Sequence, residues 1–227
     1  LLVDQIKQAK RPVFWIGGGA LNSVDEIKAI ADLGIPVVSS THGRGILPDA
    51  HPRSLGAFHN SAKVEELLKN ADLLVVVGSR LRSNETKTYS VQFPENIIQI
   101  DANPVAQQRN YKIRHFICSD AKDILSRSLV QLNGVSKVDA DYDQAIIDAK
   151  NAAVDALRKQ LDQYALICDH LRAALPEDGI FVRDITMSGS TWGSRLFPVQ
   201  APNRNIHSLA GAIGLGLAHA IGSSIAN

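Results

Sequence analysis

The sequence predicts an α/β fold: an open parallel sheet flanked by helices, followed by a second, truncated α/β unit. Three observations predict it. Short apolar runs rich in β-branched residues alternate with helical stretches from Pro12 to about Leu132. That alternation stops around Asn133-Gly134. A new helix, turn and strand then begin near Gln163.

The expected strands of the first unit are Val13–Ile16, Ile35–Val38, Leu73–Val77, Ile97–Ile100 and His115–Cys118, each too short for a buried helix. Between the first two, Ser23-Val-Asp-Glu26 matches a capping box, in which serine and glutamate satisfy free amides of the first helical turn. The helix it opens runs through about Leu33 and closes at Gly34. Further helices are expected at Lys63–Asn70 and Ala121–Leu132, the latter capped by Ser119-Asp120. Val138–Gln160 is a polar helical stretch with apolar residues on one side, which reads as a connector crossing a surface. Beyond it come helix Tyr164–Leu175, the turn Pro176-Glu-Asp-Gly179, strand Ile180–Asp184 and a glycine-rich run at Gly211–Gly222. With a single expected strand, this last unit reads as half a domain. The expected division is a first domain over 1–135, a connector helix over 136–162 and an incomplete second domain over 163–227.

Composition narrows the partners. Of 227 residues, 24 are Lys or Arg and 23 are Asp or Glu, so no net field draws nucleic acid or anionic lipid. No apolar stretch is long enough to span a membrane. Cys118 and Cys168 belong to no CxxC or Cys/His cluster, which points to neither zinc nor a disulfide framework and to a reducing, cytoplasmic location. The seven histidines show no HxH or HExxH spacing, and Gly189-Ser190 lacks the GxSxG frame of a hydrolase nucleophile. The chain has no initiating Met and ends at Ala226-Asn227, and both ends are expected to be cuts through a longer protein.

Several strand ends carry candidate ligand residues. Trp15-Ile-Gly-Gly-Gly-Ala20 places Gly18 and Gly19 where an α/β protein cradles a phosphate, or simply where a tight strand-to-helix turn needs glycine. A dinucleotide fingerprint would place a third glycine at Asn22 and an acid near Ser39-Ser40-Thr41, so a nicotinamide oxidoreductase is disfavoured. Thr41-His-Gly-Arg-Gly45, Gly78-Ser-Arg80 and Asp101-Ala-Asn-Pro104 end three other strands. Arg80 would meet a phosphate and Asp101 a ribose if a nucleotide bound there, with Arg82 adding charge. The plainer reading makes these solvated loop residues or contacts to a neighbouring domain.

In the second unit, Asp184-Ile-Thr-Met-Ser-Gly-Ser-Thr-Trp192 follows a strand and starts a helix. Thr186, Ser188 and Ser190 would then offer hydroxyls beside free helical amides, a geometry suited to a diphosphate or to an ordinary cap. In the run Gly211-Ala-Ile-Gly-Leu-Gly-Leu-Ala-His-Ala-Ile-Gly222, the glycines let backbone approach a flat ligand, or let an apolar helix pack closely.

This order of features resembles the thiamine-diphosphate enzymes of the acetolactate synthase, benzoylformate decarboxylase and pyruvate decarboxylase group. Pro12-Val-Phe-Trp-Ile-Gly-Gly-Gly19, Gly34–Gly45, Ala71–Arg80 and Ile98–Pro104 resemble their middle domain, and Tyr164–Asn227 the first part of their cofactor-binding domain. Ala218 stands where the family usually has proline, and His219 where a small residue is common. The resemblance implies that the Gly211 carbonyl accepts from the cofactor's aminopyrimidine, that Ala212 lies beside it, and that Ile213 wedges the cofactor into its bent shape. It implies by position that Thr186, Met187, Ser188 and Gly189 face the diphosphate. The bend brings the amino nitrogen near the thiazolium carbon, which then acts on a 2-oxo acid.

The activating glutamate and the magnesium-binding Gly-Asp-Gly motif are expected outside these residues, so the 227 residues alone are expected to be inert. The family further implies a homodimer or homotetramer and a middle domain that binds FAD, ADP or nothing. Gly78-Ser-Arg-Leu-Arg-Ser-Asn84 departs from the stretch typical of FAD-bearing members. The alternative function is a non-catalytic nucleotide-binding or oligomerisation module.

Overall fold

A computed structural model describes residues 1–134, 138–208 and 211–226, without the Ser188 side chain. The expected domain boundary at 135–136 and the end at Asn227 fall outside these residues.

Helix α1 (Leu2–Gln8) leads into β1 (Pro12–Ile16), α2 (Val24–Asp32), β2 (Val37–Ser39), α3 (Ala62–Lys69), β3 (Leu73–Val77), β4 (Ile97–Asp101), β5 (His115–Cys118) and α4 (Ala121–Leu132). The five strands form one parallel sheet in the order β2-β1-β3-β4-β5. Every residue of β1 and β3 is buried, as expected of central strands covered by helices on both faces.

Alternation along these strands separates two core layers. Phe14, Ile16, Val75 and Val77 pack with Ile6, Ile27, Ile30 and Leu125 of α1, α2 and α4. Val13, Trp15, Leu74 and Val76 face the other side, toward Val64 and Leu68 of α3. Onto that second layer comes the long helix α5 (Tyr142–Leu161). Its stripe Tyr142, Ile146, Ala149, Ala153 and Leu157 is buried at helical spacing. Arg11 holds its start through Asp141 at 2.6 Å, and Arg53 pairs with Asp143 at 2.7 Å.

The remaining elements are α6 (Gln163–Ala174), β6 (Phe181–Arg183), the single turns α7 (Met187–Ser190) and α8 (Trp192–Arg195), β7 (Asn205–His207) and α9 (Gly216–Ala226). Trp192, Leu196 and Phe197 join the same core layer as Trp15 and Leu74, and Phe197 stacks on Phe181 at 4.0 Å.

Three local expectations are corrected. Ser23 occupies the cap position of α2, but its hydroxyl makes no capping bond; Glu26 instead accepts from Ser126 Oγ of α4 at 2.7 Å, a tertiary bond replacing the local one. The second unit has a second strand: β7 pairs parallel with β6. The glycine-run helix α9 is not close-packed, since none of its described residues is buried.

One loop joins the two units. Arg44 and Asp49, both downstream of β2, form an ion pair with the Arg44 side chain wholly buried. Arg44 Nη2 also donates to the Phe197 carbonyl at 2.6 Å and Nη1 to that of Gly193 at 3.3 Å. Asp49 accepts the Val199 amide at 2.8 Å, and its own amide donates to the Val199 carbonyl at 2.9 Å. Removing one partner of a buried pair leaves the other charge uncompensated. Arg44→Met should therefore cost about 3–5 kcal/mol, read as a lower denaturation midpoint at constant m-value.

Candidate functional site

In the strand order β2-β1-β3, the chain adds β2 on one side of β1 and β3 on the other, and the carboxyl ends of strands at such a switch point frame the ligand crevice of an open α/β sheet. A cleft of about 800 Å³ lies there. Gly18, Gly19, Thr41, Arg80 and Asp101, the five candidate nucleotide residues, all line it. Its opposite wall comes from the second unit, through Asn205, His207 and His219.

The floor of this cleft is backbone packed on backbone. The Gly17 amide donates to Val77 O at 2.8 Å, and the Gly19 amide to Gly78 O at 3.0 Å. A Cβ on Gly19 would stand 2.7 Å from Gly78 Cα; one on Gly78, whose φ is +58°, would stand 2.5 Å from Gly19 Cα. The glycines thus satisfy a turn-against-turn contact, and the Gly19 amide is already engaged.

The rim is a network of charged and imidazole groups. Glu85 is buried, accepting the Thr41 amide at 3.3 Å and Arg82 Nη2 at 3.4 Å. The same Arg82 nitrogen lies 2.7 Å from His42 Nδ1, and the His42 ring sits 4.8 Å from that of His207. Burial, with Arg82 and Arg183 nearby, pushes the His42 pKa down. Burial, helped by Arg183 and His42, lowers that of His207 to about 3. Both rings are neutral at neutral pH, so His42 Nδ1 accepts from Arg82.

The segment after β6 is organised by Asp184. Its carboxylate accepts the amides of Ile185 at 2.6 Å and of Gly214 and Gly216 at 3.0 Å, thereby fastening the glycine run to the end of β6. These amides, Gly216 and Ile185 foremost, hold the Asp184 carboxyl below its ordinary range.

The hydroxyl of Thr186 accepts the Gly189 amide at 3.1 Å, while the Gly189 carbonyl takes Arg183 Nη1 at 3.0 Å, so both polar groups of Gly189 are spent inside the turn. Met187 is exposed. Across from this turn, Gly211 has no heavy atom within 4 Å of where a Cβ would stand, and Ile213 is 79% exposed. The Ala212 amide donates to Ser208 Oγ at 3.2 Å. Ile185, Ser190 and Gly211 meet on a second cavity of about 470 Å³. Ser188 lies in α7, its side chain outside the described atoms.

Asp184, Arg183, Arg195, His207 and Glu85 escaped the sequence reading as site residues. A lone Asp at a strand end gives no hint of amides thirty positions away. Among the described residues, no group of three or more His, Cys, Asp or Glu is placed to share a metal, and no helix is long and apolar enough to cross a membrane.

Comparison with known proteins adds a family. Residues 1–128 match the model described as the thiamine pyrophosphate enzyme central domain. Over 98% of its length the chain is 28% identical to the acetolactate synthase isozyme 1 large subunit of Escherichia coli, covering 40% of that protein. Identity and both coverages are the same for a Pseudomonas aeruginosa protein described as a probable 2-ketoarginine decarboxylase. The chloroplastic acetolactate synthase 3 of Brassica napus is 27% identical over 100% of the chain and 36% of its own length. The chain thus spans about two fifths of relatives such as the E. coli enzyme.

Two outcomes test the geometry. Gly78→Ala should cost about 2–4 kcal/mol through its left-handed backbone and the clash with Gly19, seen in a denaturant titration. Asp184→Ala should speed hydrogen exchange at the Gly214 and Gly216 amides by about tenfold or more, measured by NMR. In the unsubstituted chain, their protection holds above the ordinary carboxylate range and is lost as pH falls through the depressed Asp184 pKa.

Proposed function

The chain belongs to the thiamine pyrophosphate enzymes, and from that premise we propose that it is part of an enzyme acting on a 2-oxo acid with thiamine diphosphate and magnesium. The observation that carries this reading is the family match together with relatives that align through the glycine run at Gly211–Gly222. The reaction is decarboxylation, with or without ligation of the product to a second carbonyl, in a cytoplasmic homodimer or homotetramer.

The residues present fit one side of the cofactor. Gly211 offers a backbone surface without a side chain, at φ +71°, and Ile213 presents an uncovered apolar side chain two residues on. When the cofactor is bound, such a side chain would pack against it, and the Gly211 carbonyl would accept from its amino group. Thr186, Met187, Ser188 and Gly189 would form the diphosphate side by shape, because Gly189 has no donor to spare. Asp184 acts through both walls, holding the run that carries Gly211–Ile213 against the turn that follows β6. When bound, thiamine diphosphate supplies the electron sink for loss of carbon dioxide.

A second reading is supported by the convergence of Gly18, Gly19, Thr41, Arg80 and Asp101 on one cleft: the middle domain holds a nucleotide such as FAD or ADP there. A flavin absorbance band in the purified protein would identify the first.

The test uses the complete protein with thiamine diphosphate, magnesium and a panel of 2-oxo acids. Cofactor-dependent carbon dioxide release is expected, and Ile213→Ala should lower kcat by about tenfold or more, or at least ~1.4 kcal/mol of barrier, without lowering the melting temperature. Absence of any cofactor binding or cofactor-dependent release would overturn the reading.

A further inference from the structure

The 470 Å³ cavity beneath the Thr41 rim has an unusual charge balance. Arg82, Arg183 and Arg195 line it, and no carboxylate does among the described lining residues. Arg82 is answered by Glu85 from outside the cavity. Among the described residues, no carboxylate pairs with Arg183 or Arg195.

Arg183 is only 6% exposed. Its Nε donates to Asn205 Oδ1 at 3.2 Å and its Nη1 to the Gly189 carbonyl, while Nη2 is buried with no protein partner. The charged group that perturbs it is Arg44, of the same sign and already committed to Asp49; together with burial, which acts first, this lowers its pKa to about 10. It remains charged at neutral pH. Arg195, in the single turn α8, is shifted downward by burial alone, with no acid raising it. The imidazoles nearby do not add charge, since burial lowers His59 to about 4 and His207 to about 3. A desolvated guanidinium is stable only when paired and hydrogen-bonded. Its planar fork matches carboxylate or phosphate oxygens.

We propose that this cavity is a binding site for the oxyanion of a small molecule, a carboxylate or phosphate group held by Arg183 Nη2 and Arg195 with the Arg82 edge at the mouth. The two arginines come from β6 and α8 of the second unit, and Arg82 from the loop after β3, so the ligand bridges both units. Neither Arg183 nor Arg195 belongs to the glycine run or the Thr186–Gly189 turn. The cavity nevertheless adjoins the proposed thiamine site, since Gly211 lines it and Arg183 Nη1 holds the Gly189 carbonyl.

The test is isothermal titration of the chain with inorganic phosphate and, separately, with malonate, at ionic strength matched by sodium chloride and without thiamine diphosphate. Saturable one-to-one binding of at least one anion above the chloride background is expected. Arg195→Gln should weaken it about tenfold or more, the factor one charge-assisted hydrogen bond carries; Arg127→Gln, on the exposed face of α4, should leave it unchanged. Phosphate binding alone marks a phosphorylated ligand, malonate binding alone a carboxylate ligand, and either supports the site. Should Arg195→Gln fail to fold by circular dichroism, Arg195→Lys serves, with weaker but measurable affinity because the fork is lost. No saturable binding of either anion, or equal affinity in the Arg195 variants, overturns the proposal. Thiamine diphosphate titrated in parallel reports on the cofactor reading separately.

Discussion

The contact on which the architecture depends is the buried Arg44–Asp49 pair. A guanidinium taken wholly out of water must find a counter-charge and acceptors, and Arg44 finds them in Asp49 and the carbonyls of Gly193 and Phe197. Those acceptors sit in the segment that carries Trp192 and Phe197 into the same apolar layer as Trp15. Lys150 of α5 adds to the grip, donating to the carbonyls of Asp49 and His51 at 2.8 and 3.2 Å. One short loop is therefore clasped by the long helix on one side and by the second unit on the other. Position of the second unit, and of every site residue on it, follows from that clasp.

Much of the first sheet was legible because its code is local. Leu73-Leu-Val-Val-Val77 is a strand whatever surrounds it, and Asp120 caps α4 through the Asp123 amide as its position suggests. Local code failed where a distant partner competed. Glu26 abandons the capping box because Ser126 is within reach, and β7 was missed because Asn205-Ile-His207 offers one apolar residue and no alternation.

The candidate site was legible in its residues but not in its connections. Gly18, Gly19, Thr41, Arg80 and Asp101 do share a cleft, yet the amide of Gly19 is bound to Gly78, far away by sequence and adjacent only in the fold. Arg183 and Arg195 carry no motif. Their charges meet because β6 and α8 fold onto one cavity, and a sequence pattern has no term for that convergence. His42 and His207 show the same effect: neither stands in a recognisable pattern, but packing makes both rings neutral and brings them together at the junction.

The cleft at the ends of β1 and β3 has walls from two units and a floor of interlocked backbone. Because any occupant touches both walls, its binding free energy is also docking free energy between the units, and mass action then couples ligand concentration to their separation. A molecule held there would act as a removable rivet. The stiffness of the floor, set by Gly17 and Gly19 against Gly78, leaves adaptation to different occupants to the side chains of the rim and of the opposing wall.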